Sequence, residues 1–309
     1  MTAADEIAQK TGPAKPGPAA ATLRLSHRFN GAHLPAMLGV APLIIFAAMF
    51  LIWPTFYLVG TAFVGQDGHF TFRNIIDLFQ PNILAAYWIS IRISLASALL
   101  GALFGLAIAL AVIRGRLPVR SMVMTFSGVA SNFAGVPLAF AFIATLGRVG
   151  LATIILKTVF DFDIYRAGFN LLSFWGLTIT YLYFQIPLMI LIVAPAIDGL
   201  KREWSEAAAT LGATTFQFWR YVGLPVLFPT LLGTFSLLFA NAFGAIATAY
   251  ALTGSSLNIV PILLYAQIRG DALQNPGLGA ALALGMVAIT AVANIIYLVI
   301  SARAERWLR

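Results

Sequence analysis

Apolar residues run through the chain in six long blocks, roughly 36–63, 85–113, 121–146, 171–197, 226–252 and 278–300, parted by short polar stretches. A hydrocarbon core about 30 Å thick needs roughly 20 mostly apolar residues per helical span, so each block predicts a transmembrane helix. Alternation of period two over strand-length segments does not recur, so the pattern is not that of a barrel. The reading is an all-α membrane protein with six transmembrane helices. Prolines at 42 and 54, 137, 187 and 195, and 229 fall inside these blocks. Each removes a backbone donor and predicts a kink that neighbouring helices must accommodate. Gly101 and Gly105 lie four apart on the second block, a spacing that admits a close helix neighbour.

The polar stretches differ in character. Residues 147–170 contain LATIILKTVF, too short to span and closed by Asp161 and Asp163, which predicts an interfacial or re-entrant helix. Residues 253–277 have the same look, cut by Pro261. Between blocks four and five lies the most patterned polar segment. In REWSEAAATLG, residues Trp204, Ala207, Ala208 and Leu211 share one helical face, while Glu203, Glu206 and Thr210 fall on others. Gly212 supplies the left-handed residue that often ends a helix. Thr214 with Gln217 three residues on fits a capping box for a second short helix. Leu224-Pro225 is expected to close that helix, because a residue before proline is pushed out of helical geometry. A bent helical pair results, too apolar to lie bare in water and too polar to insert. It needs a partner.

Composition supports the bilayer as solvent: of 309 residues, 60% are hydrophobic and 10% charged, where soluble domains carry about a quarter charged residues. Residues 1–30 are Ala-, Pro- and Gly-rich and read as a disordered tail. The first apolar run begins too late and runs too long for a cleaved signal. Residues 31–309 read as one membrane domain. With no cysteine there is no disulfide frame and no thiolate chemistry.

The net charge of +8 is a topology signal and not a nucleic-acid footprint. With six spans, both tails and the loops at 114–120 and 198–225 share one side. They hold Arg114, Arg116, Arg120, Lys201, Arg202 and Arg220 together with the basic residues of both tails. The opposite loops offset Arg73, Arg148, Lys157, Arg166 and Arg269 with five aspartates, Asp67, Asp77, Asp161, Asp163 and Asp271. Basic residues mark cytoplasmic loops, which places both termini in the cytoplasm.

Glu206-Ala207-Ala208, three residues, Gly212, nine residues, then Val222-x-Leu224-Pro225 is similar to the EAA loop of bacterial binding-protein-dependent ABC importer permeases of type I. Val222 stands where that family usually has isoleucine, which keeps β-branched bulk. The resemblance implies a cytoplasmic coupling helix between transmembrane helices four and five, within 198–225. Glu206 would contact a partner ATPase, Ala207 and Ala208 would let it seat closely beside Leu211, Gly212 would set the bend, and Leu224-Pro225 would close the element. The implied partners are an ABC ATPase dimer, a second permease subunit (related or identical) and an extracytoplasmic solute-binding protein, in a bacterial inner membrane. ATP and Mg would sit on the ATPase. This chain has no G-x-x-x-x-G-K-[ST] phosphate loop and is expected to bind no cofactor and catalyse nothing itself. Within the family the chain looks most like permeases for polyamines, ferric iron, thiamine and phosphonates.

Where a solute would pass is less sharply marked. The deep parts of all six spans lack Asp, Glu, Lys and His, and Arg92 alone lies within a run, near one end. A carboxylate relay for an ion-driven carrier therefore has no members. Intramembrane hydrolase chemistry is equally unsupported, since His27, His33 and His69 lie outside or at the edge of the bilayer. Neutral polar stripes do occur: Thr178, Tyr181 and Gln185 on span four; Thr234, Asn241, Gly244 and Thr248 on span five; Ser127, Ser131 and Asn132 on span three. They line either a solute path, with Asn241 and Gln185 foremost, or interhelical hydrogen bonds. A small polar solute such as a polyamine is the expected cargo. Ferric iron, thiamine, or a phosphonate or other anion is the alternative; a polyamine or a metal cation would normally want acidic partners, which the spans lack.

Overall fold

The computed structural model describes residues 33–65, 67–114, 119–269 and 275–306; the expected tail at 1–30 lies outside them. Helices follow one another as α1 (His33–Ala47), α2 (Trp53–Ala62), α3 (Arg73–Asp77), α4 (Pro81–Arg114), α5 (Arg120–Ala130), α6 (Val136–Leu146) and α7 (Leu151–Val159). Then come α8 (Phe174–Asp198), α9 (Arg202–Thr210), α10 (Thr215–Phe218), α11 (Leu224–Phe243), α12 (Ile246–Thr253), α13 (Val260–Arg269) and α14 (Pro276–Arg306). Among the described residues the only β pairing is one bridge, Val64 with Phe70. Six stretches are long and apolar enough to cross a bilayer: Val40–Ala62, Pro81–Ile113, Val136–Val159, Phe174–Asp198, Thr215–Phe243 and Pro276–Arg303.

The chain divides into two compact units, one ending at Pro54 and one running Thr55–Arg309. In the first, α1 passes into a π turn, Ala48–Ile52, whose closing bond runs from Trp53 N–H to Ala48 O just ahead of Pro54. Its side chains Leu43, Ile44, Phe46 and Phe50 are all exposed, as expected of a helix apolar all round and bathed in lipid.

The core of the second unit is α8 packed along α4. Gly101 and Gly105 make this possible: a Cβ on Gly105 would lie 2.6 Å from Met189 Cβ, and one on Gly101 would lie 2.9 Å from Gln185 Cβ. The spacing read from the sequence thus marks a real close approach. Nearer the start of α4, Tyr87 Oη donates to Leu282 O of α14 at 2.7 Å.

Two of the expected spans are interrupted. The block at 121–146 is α5 and α6 separated by Ser131–Gly135, where Gly135 adopts φ 77°. Val123 and Met124 of α5 pack against the cluster that holds Ile190, Val193 and Ile197, while Leu138 and Ala139 of α6 belong to the cluster that holds Leu177 and Tyr181. The α5–α6 pair therefore traverses the same depth as α8, and Arg120 at its start is ion-paired with Asp198 at the end of α8. Beyond α6, the turn Gly147–Gly150 contains Arg148. A guanidinium is costly at the bilayer centre, which places this turn at an interface and α7 outside the crossing. The block at 226–252 likewise ends a helix at Phe243 and restarts at Ile246.

A third departure concerns Leu224-Pro225. The second short helix does not close there. Leu224 has φ −65° and ψ −44°, and α10 continues through a π turn, Trp219–Gly223, straight into α11. Leu224 N–H reaches back to Trp219 O, the same device that precedes Pro54. The wider turn absorbs the proline in the first turn of α11, where its missing donor has no intrahelical partner to lose.

Candidate functional site

The polar element between α8 and α11 is built by its local sequence. Gly212 sits at φ 79° with open space where a Cβ would go. Gly212 N–H donates to Ala209 O at 2.9 Å and Ala213 N–H to Ala208 O at 2.9 Å, the paired bonds of a Schellman ending. Two residues later Thr214 N–H donates to Gln217 Oε1 at 2.7 Å, and Gln217 N–H to Thr214 Oγ1 at 3.3 Å. The capping box is formed as the spacing predicts.

Nothing within the described chain covers α9, which buries no residue. Glu206 is exposed and accepts from Arg202 Nε at 2.8 Å. Ala207 is exposed and Ala208 half-buried. Leu211 is 88% exposed. Leu224 and Pro225 are exposed as well. Phe216 and Tyr221 extend the apolar surface, at 72% and 69% exposed. Sequence periodicity missed these two, because α10 with Phe216 and the π turn with Tyr221 are each too short to show a helical stripe. Phe218, buried and edge-on to Trp219, anchors the element to the bundle.

The second candidate region forms where the two helix interruptions meet. Gly135 N–H donates to Thr248 Oγ1 at 2.7 Å, and Tyr181 Oη donates to Ala245 O at 3.1 Å. Backbone groups freed by the breaks thus find partners inside the protein, which is the condition for irregular backbone at membrane depth. Between them opens a cavity of about 330 Å³, lined by Ala134, Gly135, Phe184, Ala240, Asn241, Gly244, Ala245, Ile246, Ala247 and Thr248. The lining carries no charge. Among the described residues the Asn241 carboxamide has no hydrogen-bond partner and is exposed to this space.

The polar stripes therefore separate. Asn241, Gly244 and Thr248 meet at the cavity, although Thr248 reaches it from α12, past the break. Ser131 and Asn132 stand at the α5 terminus beside it, their side chains on Gly128 O at 3.3 and 2.9 Å. Gln185 lies elsewhere: fully buried, it donates to Ser97 Oγ at 2.9 Å in the α4–α8 contact, with Oε1 unpartnered. Thr178 and Thr234 are buried and bond the carbonyls of Phe174 and Thr230 one turn back. The lining residues Ala134, Gly135 and Ala245 were not foreseen, although Gly135-Val136-Pro137 is a helix-restart signal.

The model for the family described as "Binding-protein-dependent transport system inner membrane component" matches residues 158–306, a segment that includes α9 and α10, the cavity-lining part of α11, and α12. That segment is just under half of the chain. The sulfate transport system permease protein CysT of Salmonella typhimurium is 25% identical to this chain over 216 residues, 69% of this chain and 73% of that protein. The spermidine/putrescine transport system permease protein PotC of Escherichia coli is 28% identical over 98 residues, 32% of this chain and 37% of that protein. In fold, the chain superposes on a chain of a bacterial ABC transporter involved in the import of the acidic polysaccharide alginate. The TM-score is 0.71 at 18% identity, covering 88% of this chain and 96% of that one. Its six helices of spanning length and apolarity agree with a multi-pass membrane protein, and the chain is similar to permeases of inner-membrane transport systems.

Proposed function

We propose that this chain is the permease subunit of an ABC importer, that it forms the solute path at the α5–α6 and α11–α12 breaks, and that it takes its power stroke through α9 and α10. The exposed apolar face of α9, joined by an unbroken backbone to α11, carries the reading. A partner ATPase that seats on Ala207, Ala208 and Leu211 and changes shape with bound ATP and Mg would move α11 directly. The cavity at the far end of α11 would then change access. An external solute-binding protein, a second permease subunit, and termini on the α9 side of the membrane complete the assembly, with hydrolysis left to the ATPase.

The cargo that fits best is a small oxyanion. The longer similarity is to a sulfate permease, and neither the cavity lining nor the deep span residues offer a carboxylate to a polycation. A polyamine is the second reading, favoured by the shorter match to PotC. Proteoliposomes holding the permease with its ATPase and solute-binding protein decide between them. ATP-driven uptake of radiolabelled sulfate that Leu211→Asp abolishes supports the proposal. Spermidine uptake in its place supports the second cargo, and uptake indifferent to Leu211→Asp removes the coupling role.

A further inference from the structure

A second cavity, of about 310 Å³, lies beside α7, and it is apolar throughout, with Leu146, Leu156, Phe162, Ile164, Phe169 and Ile179 among its walls. It is held open by polar bonds outside it. Asp163 Oδ1 accepts from the N–H groups of Tyr165 and Arg166 at 3.0 and 3.2 Å, and Tyr165 Oη donates to Leu146 O at 2.8 Å. These bonds arch residues 163–169 over the end of α6, so the groove is a built feature and not a loose fold of loop.

Its depth in the membrane can be read from its neighbours. Trp175, on the first turn of α8, is 58% exposed, and exposed tryptophans mark the headgroup level. Ile179 lies one turn further along α8, about 6 Å toward the bilayer centre at 1.5 Å per residue. That is the level of the upper acyl chain. The surrounding surface matches: Leu151, Ile154, Ile155, Val159 and Phe160 are all exposed, which suits hydrocarbon and not water.

Cations stand at the rim. Lys157 Nζ and Arg166 Nε lie 3.6 and 3.7 Å from Asp163 Oδ2 and are partly neutralised by it. Arg148 has its guanidinium 5.4 Å above the Tyr165 ring, and among the described residues no carboxylate lies within ion-pair reach of it. An apolar slot one turn below a tryptophan, with an uncompensated arginine at its mouth, matches one class of molecule. We propose that the groove holds an acyl chain of an anionic membrane phospholipid, its phosphate seated on Arg148. The lipid would brace α7 and the 163–169 arch against the end of α6, next to the second half of the interrupted span.

The test uses the full-length chain in nanodiscs containing phosphatidylglycerol or phosphatidylcholine with a diazirine on one acyl chain. After illumination and digestion, label should concentrate on the peptides covering 146–179 relative to those of α14. It should be about fivefold stronger with phosphatidylglycerol, the effect of one cation near an anionic headgroup. Arg148→Ala should erase the headgroup preference and leave the protein folded, and Ala167→Trp should fill the groove and erase the enrichment. Should the tryptophan variant misfold, the arginine arm still decides. Labelling as strong on α14 as on the groove, or blind to headgroup in the unmodified chain, overturns the proposal. So does a groove that lipid leaves unlabelled and that added solute-binding protein shields from a soluble carbene reagent.

Discussion

The amide of Gly135 and the hydroxyl of Thr248, 2.7 Å apart, tie the interruption of one membrane span to the interruption of another. Thr248 is buried, and Gly135 has a backbone that only glycine adopts freely. The bond makes α6 and α12 one piece at the point where α5 and α11 end. A movement arriving along α11 meets that joint before it meets any loop.

Thr248→Val keeps the shape of the side chain and removes the acceptor. The Gly135 amide is half-buried at the cavity edge, so losing this partner costs about 0.5–1.5 kcal/mol, the net worth of one hydrogen bond, and the variant should melt lower and transport more slowly. Thr248→Ser should behave as the parent. Thermal melting in detergent, paired with uptake, separates the two.

Gly212 is open on all sides, so a substitution there acts through backbone conformation alone. Gly212→Ala should destabilise the end of α9 by about 1 kcal/mol and reduce ATP-driven uptake. Gly212→Asn, which tolerates the left-handed region, should lose less. Equal uptake by all three proteins would show that the bend carries no signal.

Asn241 and Gln185 should part company. Asn241→Ala removes a free carboxamide from the cavity and should lower transport without moving the melting temperature. Gln185→Leu replaces a buried amide whose oxygen has no partner with a side chain of similar volume. It should change stability by under about 1.5 kcal/mol and leave the apparent affinity for solute unchanged. A large shift in that affinity for Gln185→Leu would place it in the path after all.

The Asp163 carboxyl is held below its ordinary value, first by the Arg166 N–H, then by the Tyr165 N–H and the Lys157 and Arg166 charges, against some desolvation. A depressed carboxyl stabilises the folded arch above the unfolded value, and that contribution fades as pH falls through the lowered one. Hydrogen exchange at the Tyr165 and Arg166 amides should therefore stay slow at about pH 5, where an ordinary aspartate is still largely ionised. It should quicken only in stronger acid. Asp163→Asn should exchange faster at every pH and lose the transition.

Much of this was legible beforehand because the signals are local. A glycine at the right place ends α9, and a threonine three residues from a glutamine starts α10, whatever surrounds them. The breaks at Gly135 and Gly244 were not, because an apolar block long enough to span looks the same whether its helix is continuous or interrupted. Leu224-Pro225 misled for a related reason: proline bars an ordinary preceding turn, yet a π turn passes it. Tyr181 and Gln185 share a stripe by spacing, but spacing names a face and not the helix that faces it. One supports the cavity wall and the other packs on Ser97.

The central claim is that α9 receives the stroke of a nucleotide-hydrolysing partner. A photo-crosslinking amino acid at Leu211, in cells producing the whole importer, tests it most directly. The account predicts a single strong adduct with the ATPase subunit, whose yield changes when ATP is trapped. An adduct with the external solute-binding protein, or with lipid alone, would contradict it.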